Sequence, residues 1–160
     1  MKKLLLGISA YLLSVFAYAQ EAPLWMRNSA ISPDGTTIAF CYKGDIFTVP
    51  VTGGRALQIT SHPAYDTDPV WSPDGKQIAF ASDRMGSMDV YIVDKEGGAP
   101  TRLTTYSGTE KPVTFKDKNH ILFLSNIRPS AEDAQFPSGQ FQQVYEVSVQ
   151  GGRPKMCSSM

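Results

Sequence analysis

Apolar residues in this chain come in short, dense runs separated by turn formers. Ile38-Ala39-Phe40-Cys41 and Ile78-Ala79-Phe80-Ala81 are apolar at every position. A strand of that kind is buried on both faces of its sheet. A second kind of run follows each: DIFTV from Asp45, DVYIV from Asp89 and QVYEV from Gln143. These runs align as Ile46/Val90/Val144, Phe47/Tyr91/Tyr145 and Val49/Val93/Val147. The position between them varies freely, as Thr48, Ile92 and Glu146. No apolar period of 3.6 residues is visible, so the pattern predicts strands throughout and no amphipathic helix.

The runs belong to a repeat. Ala30 to Phe40 reads AISPDGTTIAF, Val70 to Phe80 reads VWSPDGKQIAF, and Val113 to Phe123 reads VTFKDKNHILF. Each is followed by its DIFTV-like run and then by GGRALQIT from Gly53, GGAPTRLT from Gly97 or GGRPKMCS from Gly151. Ser-Pro-Asp-Gly is hairpin chemistry. Pro33 and Pro73 preset φ, Asp34 and Asp74 suit the next turn position, and Gly35 and Gly75 accept positive φ. In the third copy Lys116-Asp117-Lys118 replaces Pro-Asp-Gly. The Gly-Gly pairs open a turn into a short fourth strand whose apolar position is Ile59, Leu103 or Cys157. Four antiparallel strands repeating every forty-odd residues, with central strands buried on both faces, predict an all-β protein made of β-propeller blades. A β-sandwich would explain the turn density but not the threefold repetition. The expected boundaries are 24–60 for blade 1, 61–104 for blade 2 and 105–160 for blade 3. Blade 3 carries a loop insertion at about 126–142.

Propellers typically close with about four to eight blades. Three four-stranded blades therefore predict an incomplete propeller, the N-terminal part of something longer. A dimer closing into a six-blade ring is the alternative.

The N-terminus changes the compartment. Lys2 and Lys3, the apolar stretch Leu4 to Phe16 and the small-x-small Ala17-Tyr18-Ala19 read as a signal peptide over 1–19. The apolar stretch is short for a membrane span, so a retained anchor is the weaker reading. The mature chain is expected to be exported, periplasmic or extracellular, with no stable membrane insertion. Composition adds exclusions. The 15 basic and 15 acidic residues balance, which argues against a general nucleic-acid binder. A hydrophobic share of 42% is too high for a disordered chain. Two cysteines cannot build a disulfide scaffold. Cys41 and Cys157 sit in apolar slots of the repeat and are expected to be unpaired.

The series Trp71-Ser72-Pro73-Asp74-Gly75, Ile78-Ala79-Phe80, Ser82-Asp83-Arg84 and Gly97-Gly98…Leu103-Thr104 resembles the WD40-like repeat of the Pro-Asp type. Such repeats occur in the Tol-system periplasmic propeller protein, in prolyl oligopeptidase-type enzymes and in tricorn proteases. With an export signal just ahead of the first blade, the chain looks most like the N-terminal propeller of exported tricorn-like serine peptidases. That resemblance implies a scaffold or substrate-gating, peptide-binding module, with the catalytic domain outside this chain. Its partners would be a peptide or protein, or the chain's own missing C-terminal domains. The alternative is a non-enzymatic protein-interaction propeller of the Tol-system type.

Catalytic signatures do not appear in the sequence. It has no G-x-S-x-G elbow, H-E-x-x-H helix or P-loop lysine, so the chain alone is expected to be catalytically silent and to need no cofactor. Asp66, Asp68 and Asp74 miss the calcium-loop spacing and read as solvated loop or turn residues. Candidate peptide or partner contacts are His62, Tyr65 and Asp66 before blade 2, Arg84 after its second strand, and Arg128, Phe136 and Phe141 in the insertion. Loops of this kind emerge on one propeller face, where ligands and partner domains commonly sit.

Overall fold

The computed structural model describes residues 26–127 and 142–157. The proposed signal peptide lies outside them, as do Arg128, Phe136 and Phe141. The described residues form twelve strands and no helix. The first sheet holds β1 (Met26–Ile31), β2 (Thr37–Tyr42), β3 (Asp45–Pro50) and β4 (Leu57–Gln58). The second holds β5 (Asp66–Trp71), β6 (Gln77–Ser82), β7 (Asp89–Asp94) and β8 (Thr101–Arg102). The third holds β9 (Glu110–Asp117), β10 (His120–Ser125), β11 (Gln143–Ser148) and β12 (Lys155–Met156). Each sheet pairs its strands in chain order and antiparallel throughout.

The Ser-Pro-Asp-Gly turns build the first hairpin of blades 1 and 2. The Gly35 amide donates to the Ser32 carbonyl and the Gly75 amide to the Ser72 carbonyl, both at 2.9 Å. Gly35 and Gly75 have φ of 71° and 66°, where a side chain would be strained. The Asp34 carboxylate accepts the Ser32 hydroxyl at 2.6 Å, the Thr36 amide at 3.0 Å and the Thr36 hydroxyl at 2.9 Å. The Ser32 bond leads in holding its pKa down to about 2. Asp74 repeats the arrangement with the Ser72 hydroxyl and the Lys76 amide. In blade 3 the turn shortens to Lys118-Asn119, and Asp117 accepts the Asn119 amide at 2.7 Å.

The fourth strands are only two residues long, and the apolar position falls just beyond each. The amides of Ile59, Leu103 and Cys157 donate to the carbonyls of Ile46, Val90 and Val144, an equivalent bond in every blade. Ile59 and Leu103 are buried there. Cys41 and Cys157 are both free thiols.

In the middle blade β6 is buried from Ile78 to Ser82. In blade 3, β10 alternates between buried and half-buried instead. One core cluster joins blades 1 and 2 through Cys41, Ile46, Trp71 and Phe80; another joins blades 2 and 3 through Ala79, Val90, Phe115 and Phe123. The sequence expectation of double-sided burial holds throughout 78–81 in the middle blade and at Ala39, Phe40 and Cys41 in blade 1, where Ile38 is half-buried. Trp71 adds a polar tie, its indole N–H donating to the Ala30 carbonyl at 3.1 Å.

Candidate functional site

Strand direction puts the β2–β3 turn, the β6–β7 turn and both interblade connections, 59–65 and 103–109, at one end of the blades. Backbone bonds fix them together. The Asp66 amide donates to the Gly44 carbonyl at 2.7 Å, and the Glu110 amide to the Met88 carbonyl at 2.8 Å. Lys43-Gly44 forms a two-residue turn with φ of 51° and 89°, the tight hairpin geometry that matches strand twist. Blade 2 spends residues 83–88 on the same connection. The shorter turn leaves a depression at the first blade boundary. It is a pocket of about 340 Å³ lined by Arg27, Cys41, Lys43, Gly44 and Tyr65. A side chain at position 44 would meet the Tyr65 ring at ordinary van der Waals distance, but the φ of 89° there would strain it.

The candidate residues fall into two groups. His62 and Tyr65 are exposed on this end. His62 Nδ1 accepts the Ala64 amide at 3.0 Å, and the Tyr65 amide donates to Asp83 at 2.8 Å. Asp66 and Arg84 are different. Asp66 was expected in a solvated loop; it opens β5 and is fully buried. Arg84 Nη2 lies 2.9 Å from both Asp66 oxygens, while Nε donates to the Ser82 hydroxyl. The guanidinium also covers the rings of Phe80 and Tyr91. Burial without water forces this carboxylate onto a cation, so the pair acts as a clamp under the surface. Asp68, also expected as a solvated loop residue, lies within β5. It accepts Asn28 Nδ2 at 2.9 Å and pairs with Lys111 Nζ at 2.8 Å. These three residues occupy matching positions on β1, β5 and β9, the strands that adjoin one another across the sheets.

Sequence reasoning missed two exposed hydrophobics at the same end of the blades as Tyr65. Met85 and Tyr106 sit on the β6–β7 turn and the second interblade connection. The Ser87 hydroxyl donates to the Tyr106 carbonyl at 3.2 Å, tying these segments together. Their non-repeating positions gave no pattern to read. This end thus exposes two tyrosines and a methionine, and Lys43 and Arg27 line the pocket that Tyr65 borders. Among the described residues no cluster of three or more His, Cys, Asp or Glu could hold a metal, and no helix is long and apolar enough to cross a membrane.

Residues 23–159 match the model of the tricorn protease N-terminal β-propeller domain. The chain belongs to that family. A tricorn protease homologue of Streptomyces coelicolor is 33% identical over 92 residues, 58% of this chain and 8% of the relative. The uncharacterised peptidase YuxL of Bacillus subtilis is 35% identical over 108 residues, 60% of this chain and 16% of the relative. The chain therefore spans a small part of the length of either. Among solved structures, a putative TolB from Agrobacterium tumefaciens superposes with a TM-score of 0.69 at 23% identity, covering 83% of this chain and 49% of that one. At that identity the likeness is one of fold. For this tricorn-type propeller chain, the blade repeat and the family match describe the same residues.

Proposed function

We propose that this propeller is the peptide-handling scaffold of an exported tricorn-like serine peptidase, presenting peptides to a catalytic domain outside the chain. The family match over residues 23–159 carries the reading. Residues 1–19 would direct export to the periplasm or exterior. The peptide-facing surface would be the end that carries Tyr65, Met85 and Tyr106, with the pocket between blades 1 and 2 accepting one side chain. Aromatic and methionine side chains suit varied peptides, because they supply contact area without fixed hydrogen-bond demands. Free sheet faces on blades 1 and 3 would be covered by further blades. A non-enzymatic interaction propeller is the second reading, favoured by the likeness in fold to the putative TolB.

Fluorescent peptides of mixed sequence, titrated into the purified chain, test the assignment. Tyr65→Ala with Met85→Ala is expected to weaken binding by about tenfold or more, the effect of removing interface anchors. Binding unchanged by that pair would place the peptide elsewhere. The chain alone should hydrolyse none of these peptides, and cleavage that is lost on changing His62 would overturn the scaffold role.

A further inference from the structure

The two blade boundaries solve the same electrostatic problem differently. Each sets an acid at the start of an inner strand, Asp66 or Glu110, against the start of the preceding blade's third strand, Asp45 or Asp89. The backbone bond is the same at both, from Asp66 to Gly44 and from Glu110 to Met88. At the first boundary each carboxylate has its own donors. Arg84 takes both oxygens of Asp66, and half-buried Asp45 accepts Gln58 Nε2 at 3.0 Å and the His62 amide at 3.3 Å. At the second boundary Asp89 and Glu110 are both fully buried. The ion-paired cation there is Arg102, whose Nη2 lies 2.8 Å from Asp89 Oδ2. Neither oxygen of Glu110 meets a hydrogen-bond donor in good geometry.

Two carboxylates and one guanidinium, all ionised, would leave a net negative charge out of contact with water. That is among the costliest arrangements a protein interior can hold. We propose that Asp89 and Glu110 share one proton, and that this proton latches the third blade to the second. The protonated carboxyl donates its O–H to the other carboxylate, and Arg102 balances the remaining charge, so the boundary becomes neutral. Loss of that proton leaves an uncompensated charge beneath the β6–β7 turn and the 103–109 connection, the segments that carry Met85 and Tyr106.

The groups facing Glu110 can be named by element. Asp89 comes from β7 and raises its proton affinity; Arg102 comes from β8 and lowers it; the Thr104 hydroxyl and the Tyr106 amide come from the connection and lower it. Burial outweighs them and pushes Glu110 up to about 7. Burial raises Asp89 as well, against the pull of Arg102. The two therefore titrate as a coupled pair. Because the folded pKa of Glu110 is raised, the latch is complete below the ordinary glutamate range and is lost as pH rises through about 7.

Carboxyl-carbon NMR of the full chain, labelled at glutamate side chains, tests this directly. One glutamate signal should titrate near neutrality and vanish in Glu110→Gln. Over the same range, from about pH 6 to about pH 8.5, exchange protection of the Glu110 amide, corrected for intrinsic rate, should fall about tenfold or more. Glu110→Gln should make that protection independent of pH, and Asp89→Asn should move the Glu110 midpoint downward. Every glutamate titrating in the usual carboxyl range would overturn the proposal. So would flat protection in the unsubstituted chain, which needs no variant to fold.

Discussion

Asp66 and Arg84 show how far a residue's role depends on what lies over it. On the chain they are an acid before a strand and a base after one. In the folded blade the acid is sealed and the base closes over it, stacked on Phe80 and Tyr91. Arg84→Ala would strand a buried carboxylate and uncover two rings. It should destabilise the chain by about 3–5 kcal/mol, measured by urea denaturation. Arg84→Lys should recover little, because a single ammonium cannot replace the guanidinium's simultaneous reach to Asp66 and Ser82. Asp34 needs no such covering. Its turn is local, so its role was readable from Ser-Pro-Asp-Gly alone.

At the scale of elements, the strands were legible and their ties were not. Every hairpin follows from turn chemistry and from apolar runs, which are local properties. The Trp71 indole reaching the Ala30 carbonyl is a contact between copies of the repeat, and only the stacking of two sheets creates it. Trp71→Phe keeps most of the apolar packing and removes that bond. It should cost about 1–2 kcal/mol in thermal or urea unfolding, since the carbonyl is left without its added donor. The Asn28–Asp68–Lys111 chain is similar. Matching positions in three copies carry unrelated residue types, so no sequence pattern marks them. The inner strands bring Asn28 and Lys111 each within 2.9 Å of the Asp68 carboxylate.

For the whole molecule, the outer faces of blades 1 and 3 matter most. Blade 1 carries half-buried Ile38, Phe47 and Val49 on the side away from blade 2, where buried Phe40 stacks on the Phe47 ring at 5.9 Å. Blade 3 presents Leu122, Leu124 and Val144 on its outer side. These are the kinds of residues that pack between blades elsewhere in the chain. Apolar faces of this sort drive association when uncovered. The isolated chain should therefore form larger species as its concentration rises, seen by light scattering coupled to size-exclusion chromatography. Phe47→Lys with Val144→Lys should suppress them without loss of strand content by circular dichroism. A monodisperse monomer at high concentration would contradict association through these faces.

The sequence by itself determined the strands, their turns, their grouping into four-stranded units and the family resemblance. Those are set by short-range sterics, by the period of apolar residues and by repetition, all of which lie along the chain. The tertiary structure decided which acids are buried, which cations they meet, and where a pocket opens between turns of unequal length. Asp45, Asp66, Asp89 and Glu110 look alike as residues near strand starts. Folding gives Asp66 a guanidinium from its own blade, Arg84, while the packing of blade 3 on blade 2 sets Glu110 beside an Arg102 already paired with Asp89, and the free energy of each charge depends on the water and counter-charges around it.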